Sequence, residues 1–261
     1  MDSMNVKVSL YQMDSLKGDI RSNLKKAESA AEETAARKND ILMLPEFWTT
    51  GFDLPNIKKY SKDELDSIIN HISRIAKKYN IAIIGTTPQK FNNKIYNTAF
   101  LFDKDGKEVA NYNKLHLFRL MDEHKFIEPG RDISVFQTQW GKCGLTICFD
   151  LRFPELFRKI AEKNVKIIFI PAYWPEPRLE HWRILLRARA IENQVFIIGC
   201  NRCTINQKLK FGFSAVIDPE GKILAEAGTQ EILMHAELDV NKIDRTRKKF
   251  NLLDNRRKDI Y

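Results

Sequence analysis

The stretch GLTICFDLRFPE, Gly144 to Glu155, runs from a strand into a helix start. The run Leu145-Thr146-Ile147 ends on Cys148. Pro154-Glu155 then has the form of a helix start, since proline suits the first helical position and an acid suits the positive end of the helix dipole. A cysteine kept for packing sits buried within an element. One kept for chemistry must be reached by substrate, and a strand end offers that access. The strand-to-turn position also exposes the sulfur beside the backbone N–H of Phe149, the geometry of a nucleophile elbow.

The pattern repeats on either side of this stretch. Val6 to Leu10 alternates as a strand does, and Asp19 to Lys38 carries Ile20, Leu24, Ala27 and Ala31 on one helical face. DILMLPE (40–46) reads as a buried strand, Lys62 to Tyr79 as an amphipathic helix, and IAIIGTTP (81–88) as a strand stopped by Gly85 and Pro88. IYNTAFLFD and EVANYNKLHL flank the turn DKDG, and ISVFQTQWGKCGLTICF reads as a second hairpin. A helix over 155–163, the strand VKIIFIPA, a helix over 179–193 and the strand QVFIIGC follow. A hairpin around DPEG and a strand near EILMHAEL close the chain. Near-continuous apolar strands covered by helices, with hairpins between them, predict a two-sheet α/β sandwich with helices outside. There is no linker-like tract, so one domain is expected over residues 1–261.

Composition narrows the function. The chain is 43% hydrophobic and 30% charged, which supports a large core and excludes disorder. No apolar run approaches the ~20 residues of a membrane span, and the first residues lack a signal-peptide layout. A cytoplasmic protein without membrane contact is expected. Four cysteines do not make a disulfide scaffold, and Cys200-x-x-Cys203 with five scattered histidines assembles no zinc set. No metal is expected. The net charge of +9 gathers partly in a basic tail from about residue 243. Acids interrupt that tail and it carries no nucleic-acid motif, so a solvated tail or subunit-docking arm is expected rather than a basic binding module.

Three residues share a position type. Glu46 closes ILMLPE, Lys114 lies in YNKLHLF and Cys148 closes the strand before its turn. Glu and Lys are seldom buried unpaired, so one crevice at the strand ends would account for all three. Their chemistry is complementary. A carboxylate can take a thiol proton, a thiolate can attack a carbonyl, and an ammonium can hold an oxyanion.

LPEF, YNKLHLF and GLTICFDLRFPE, with YNTAFLFDKDG, EHKFIEPG, LLRARAIENQ and SAVIDPEGKIL, resemble the signature regions of the nitrilase superfamily, the carbon–nitrogen hydrolases. The likeness spans nearly the whole chain. It implies a four-layer α-β-β-α sandwich, homodimers, a small-molecule amide as substrate, and no metal or organic cofactor. It implies Glu46 as general base, Lys114 as oxyanion stabiliser, Cys148 as nucleophile and Glu123 as a supporting glutamate, with Glu128 as the alternative. CFD in place of Cys-Trp-Glu favours amides over nitriles. AYWPEPRLEHWRILLRARAIENQ, PEFWTTGF and NKLHLFRLMDEHK resemble bacterial omega-amidases, which implies the terminal amide of 2-oxoglutaramate or 2-oxosuccinamate, cleaved through a cysteine thioester. Deaminated-glutathione amidase, carbamoyl-amine hydrolase and nitrilase keep the same triad and are the alternatives.

A dicarboxylate-like substrate needs a cation. Arg178 and Arg202 are the candidates, with Trp174 as a pocket wall. Arg152 and Glu155 are expected to pair and fix the elbow, and Arg187, Arg189 and Glu192 to serve packing or a subunit interface.

Overall fold

Parallel strands need long crossovers, and the sequence supplies a helix at each one. The computed structural model describes residues 5–205, 209–257 and 259–260. Of the N-terminal stretch read above, residues 1–4 lie outside the described residues, as do Lys258 and Tyr261 of the tail. The first sheet comprises β1 (Asn5–Gln12), β2 (Ile41–Met43), β3 (Ala82–Phe91), β4 (Lys94–Phe102), β5 (Glu108–Asn113) and β12 (Ile232–Asp239), in the order β12-β1-β2-β3-β4-β5. The second comprises β6 (Ser134–Thr138), β7 (Gly141–Leu145), β8 (Ile167–Ala172), β9 (Phe196–Asn201), β10 (Ala215–Ile217) and β11 (Ile223–Glu226), in the order β11-β10-β9-β8-β7-β6.

In each sheet three central strands run parallel: β1, β2, β3 and β7, β8, β9. Helices α1 (Ile20–Ala36) and α2 (Lys62–Tyr79) make the first pair of crossovers, and α4 (Pro154–Ala161) and α5 (Leu179–Asn193) the second. Caps set their ends. Asp19 accepts from the Ser22 N–H at the start of α1, and Ser61 with Glu64 forms a capping box on α2.

Alternation along the strands sorts the side chains into layers. Ile41 and Met43 face the second sheet and join the core with Leu145, Phe169 and Ile198. Leu42, between them, faces the helices and packs with Ala27, Ala31, Ile72 and Ile75. The result is the expected four-layer α-β-β-α sandwich.

Three local readings change. β3 does not stop at Pro88 but continues to Phe91 and pairs with β4 through an Asn92-Asn93 turn. β2 ends at Met43, so Pro88 extends past its neighbour on that side, where a missing N–H costs no ladder bond. β5 ends at Asn113, which leaves Lys114 just beyond the strand. The basic tail is not a free arm through its first half. It forms α6 (Lys242–Lys249), buries Ile243, and Arg247 donates to Asn164 Oδ1 at 2.7 Å. Gln194 then ties down the next turn through Phe250 O and Leu252 N.

Candidate active site

Glu46 and Lys114 leave the first sheet at the ends of β2 and β5, and Cys148 leaves the second beyond β7. All three meet where the two sheets open, and Glu46 N donates to Ala172 O at 3.3 Å across that gap. All three are buried, with Cys148 the most accessible: Lys114 is 0% exposed, Glu46 2% and Cys148 7%.

Lys114 Nζ lies 2.8 Å from Glu46 Oε1 and 2.7 Å from Glu123 Oε1. Glu123 opens the short helix α3 (Glu123–Phe126), and its Oε2 accepts from Phe118 N at 2.9 Å. The alternative glutamate, Glu128, is outside the site and faces Lys94 at 3.6 Å near the surface.

The Glu46 carboxylate is almost fully subscribed. Oε1 accepts from Lys114 and, at 2.7 Å, from Asn97 Nδ2, while Oε2 accepts from Tyr173 N at 2.9 Å. A carboxylate has about four acceptor positions. The one left, on Oε2, is open on the side of the Cys148 thiol, whose proximity helps hold Glu46 charged. Neither Asn97 nor Tyr173 is legible as a site residue from spacing. Asn97 enters from mid-β4, and Tyr173 contributes only backbone: its carbonyl lies 3.5 Å from Cys148 Sγ.

Electrostatics follow from burial and the three charges. Burial pushes Glu46 up, against the pull of Lys114. Burial alone would depress Lys114, but Glu123 and Glu46 hold it well above the ordinary lysine value. Burial and then Glu46 push the Cys148 thiol well up, so it rests protonated with a base alongside. Such a group can release its proton to Glu46 as sulfur bonds to an electrophile.

Cys148 has φ +45°, a left-handed conformation rare for a residue with a side chain. It opens a 3₁₀ turn, Cys148–Arg152, whose second residue is Phe149. The N–H of Phe149 therefore lies in the first turn, where backbone donors lack a partner within the helix.

The arginine expectations divide. Arg178 has its guanidinium 5.9 Å from the ring of Phe118, the residue whose N–H binds Glu123. Arg152 does not pair with Glu155, which is exposed at the start of α4. Its guanidinium instead lies 4.6 Å over Trp174 and reaches His181 Nδ1 at 3.3 Å. Burial and then Arg178 depress the Arg152 pKa, so the two cations face a common space. Neither has a carboxylate partner among the described residues. Trp174 is buried behind them. Its indole N–H donates to Arg178 O at 2.7 Å, so it supports the arginines rather than walling a pocket.

Arg202 is already engaged by the protein. It is buried, pairs with Asp14 at 3.0 Å and donates to the carbonyls of Ser15 and Cys203. Its guanidinium also lies 4.9 Å over the Tyr173 ring, beside a cavity of about 560 Å³ that Phe52 and Met121 share. Arg189 serves packing, donating twice to Leu151 O behind the elbow. Cys200 and Cys203 are buried, and their thiols donate to Tyr11 O and Gln12 O respectively. Among the described residues no group of three His, Cys, Asp or Glu could hold a metal, and no helix is long and apolar enough to cross a membrane.

The carbon-nitrogen hydrolase family model matches residues 7–248. The 2-oxoglutaramate amidase of Bacillus subtilis (strain 168) is 40% identical over 256 residues, covering 97% of this chain and 98% of that protein. The crystal structure of Saccharomyces cerevisiae Nit3, of branch 10 of the nitrilase superfamily, is 32% identical with a TM-score of 0.89 over 97% of both chains. A mutant amidase from Nesterenkonia sp. AN1, 25% identical with a TM-score of 0.88, covers 98% of this chain and 95% of its own. That structure shows the acetamide moiety of fluoroacetamide added covalently at the active-site cysteine. Matched in sequence over most of its length and in fold throughout, this chain belongs to the carbon-nitrogen hydrolases of the nitrilase superfamily.

Proposed function

We propose that the protein is an amidase that hydrolyses the terminal amide of a small 2-oxo acid, 2-oxoglutaramate or 2-oxosuccinamate, to a carboxylate and ammonia. The observation that carries the chemistry is the Lys114 ammonium held between Glu46 and Glu123 beside a protonated thiol. The named activity of the 40% identical relative supports the substrate.

The reaction runs in two displacements. Cys148 Sγ bonds to the amide carbon as its proton passes to Glu46 Oε2. The carbonyl electron pair moves onto oxygen, held by Lys114 Nζ and the Phe149 N–H. Collapse breaks the C–N bond, and Glu46 returns the proton to nitrogen, releasing ammonia. Water then attacks the thioester and gives a proton to Glu46. Collapse breaks the C–S bond, and the proton passes back to sulfur. Glu123 keeps Lys114 charged and in place throughout.

Recognition of the distal carboxylate falls to Arg152 and Arg178, which face a common space and have no acidic partner among the described residues. The reading also carries a homodimer, since α5 leaves Ile184 and Ile191 exposed on one side for a second copy to cover. A cytoplasmic setting suits four buried, free thiols.

Ammonia release from a panel tests the substrate: 2-oxoglutaramate, 2-oxosuccinamate, deaminated glutathione, a carbamoyl amine and a simple nitrile. The highest kcat/KM should fall on an oxo-acid amide. A preference for another member would keep the mechanism and replace the substrate.

A further inference from the structure

Asp150 is a buried acid that the reaction above does not use. Its four acceptor positions are filled by donors from the elbow beyond β7 and from the end of β5 with the loop that follows it. Oδ2 accepts from Ile147 N at 2.9 Å and from Tyr112 OH at 2.7 Å. Oδ1 accepts from His116 N at 3.0 Å and lies 2.7 Å from His116 Nδ1. Ile147 immediately precedes Cys148, and Tyr112 and His116 flank Lys114.

Each oxygen thus takes one backbone N–H and one side-chain donor. The Oδ2 backbone donor belongs to the elbow, and the Oδ1 backbone donor belongs to the Lys114 loop. The joint is reinforced on both sides. Tyr112 OH accepts from Leu115 N at 3.3 Å, and the His116 ring stacks on Phe153 at 3.7 Å and 11°. A carboxylate sealed from water is tolerated only when fully bonded. The left-handed backbone at Cys148 likewise persists only if its surroundings hold it there.

We propose that Asp150 is a positioning residue: its two carboxylate oxygens bolt the Cys148 elbow to the Lys114 loop and so fix the distance between nucleophile and oxyanion cation. The proposal rests on the roles given above to Cys148 and Lys114. It makes a sharp chemical demand. The Tyr112 hydroxyl and the His116 ring can each turn from donor to acceptor, but the N–H groups of Ile147 and His116 cannot. Asparagine at 150 satisfies one backbone donor and opposes the other with its own NH₂, whichever way it is flipped. Shape and volume stay the same, and the joint opens.

The test is Asp150→Asn, assayed well below its melting temperature with the most active amide of the panel. We expect a folded protein whose kcat falls about 100-fold, the cost of a misplacement of order 1 Å, with KM within about three-fold. Alkylation of Cys148 by iodoacetamide should slow in parallel. Tyr112→Phe removes one donor to the carboxylate and the acceptor of Leu115 N but keeps both backbone bonds of Asp150, so kcat should fall about 10-fold, as for one charge-assisted hydrogen bond, at unchanged KM. A merely structural role would lower the melting temperature of either variant and leave kcat and alkylation alone. A folded Asp150→Asn enzyme with kcat within about three-fold of wild type, or with its loss confined to KM, overturns the proposal. If Asp150→Asn does not fold, Tyr112→Phe decides, and an unchanged kcat there overturns it. Cys148→Ala assayed alongside keeps the two ideas apart: activity in that variant overturns the site and the joint with it, whereas an inactive Cys148→Ala beside a fully active Asp150→Asn overturns the joint alone.

Discussion

Lys114 Nζ lies 2.8 Å from Glu46 Oε1, with both side chains sealed from solvent. The same ammonium holds Glu123 at 2.7 Å, so one cation neutralises two buried carboxylates. Removing it should be costly. Lys114→Met should abolish turnover and destabilise the fold by about 3–5 kcal/mol at pH 7, the usual result of leaving a buried charge unpaired. The sign with pH follows. Without the cation the burial that raises Glu46 acts unopposed, so its folded pKa stays above the unfolded value of about 4.3, and the penalty is full above the folded value and relieved as pH falls through it. Urea denaturation at pH 7 and pH 5 reads this directly. A variant equally destabilised at both pH values would contradict it.

Burial raises Glu46, and a base works only when ionised. Activity should therefore fall as pH drops through a value above the ordinary glutamate pKa of about 4.3. Asn97 helps hold Glu46 charged by donating to Oε1. Asn97→Leu removes that donor, so the acidic limb of kcat/KM should move to still higher pH. A limb that stays put would show that Asn97 does not act on the base.

Arg152 and Arg178 carry the specificity prediction. Either change to Met should raise KM for 2-oxoglutaramate about 10-fold or more, a typical loss for one charge-assisted hydrogen bond. KM for a neutral amide such as butyramide should hardly change. Equal effects on both substrates would remove that arginine from recognition.

Arg202 should behave differently, because its guanidinium is bound to Asp14 and to backbone. Arg202→Met leaves a buried Asp14 unpaired and should cost about 3–5 kcal/mol of stability. KM for oxo-acid amides, measured in the surviving folded enzyme, should not rise selectively. A selective rise with intact stability would restore Arg202 as a substrate ligand.

What could be read in the sequence divides along physical lines. Cys148, Glu46 and Lys114 stand out because each is a reactive or charged residue at the end of an apolar run, a contrast that local pattern records. Glu123 came with them only by resemblance, and its distinction from Glu128 needed the contact with Lys114. Asn97 and Tyr173 were invisible. One depends on the register of β4, and the other acts through its backbone, which every residue possesses. The arginines show a further limit. Arg152 was matched to the nearest acid in sequence, but Glu155 faces solvent at the start of α4 while Arg152 turns onto Trp174. The charge of Arg202 was legible, and its partner Asp14, on a different sheet's margin 188 residues away, was not. The end of β3 was misplaced because Pro88 stops a strand only where a neighbour requires its N–H.

The central claim is that Cys148 forms a thioester with the amide's acyl group. Rapid quench of the enzyme with 2-oxoglutaramate, followed by peptide mass spectrometry, tests it most directly. The account predicts an acyl adduct on the Cys148 peptide that accumulates in wild type or in Glu46→Gln. It also predicts neither adduct nor ammonia from a folded Cys148→Ala enzyme. Ammonia released at the wild-type rate by Cys148→Ala would contradict it.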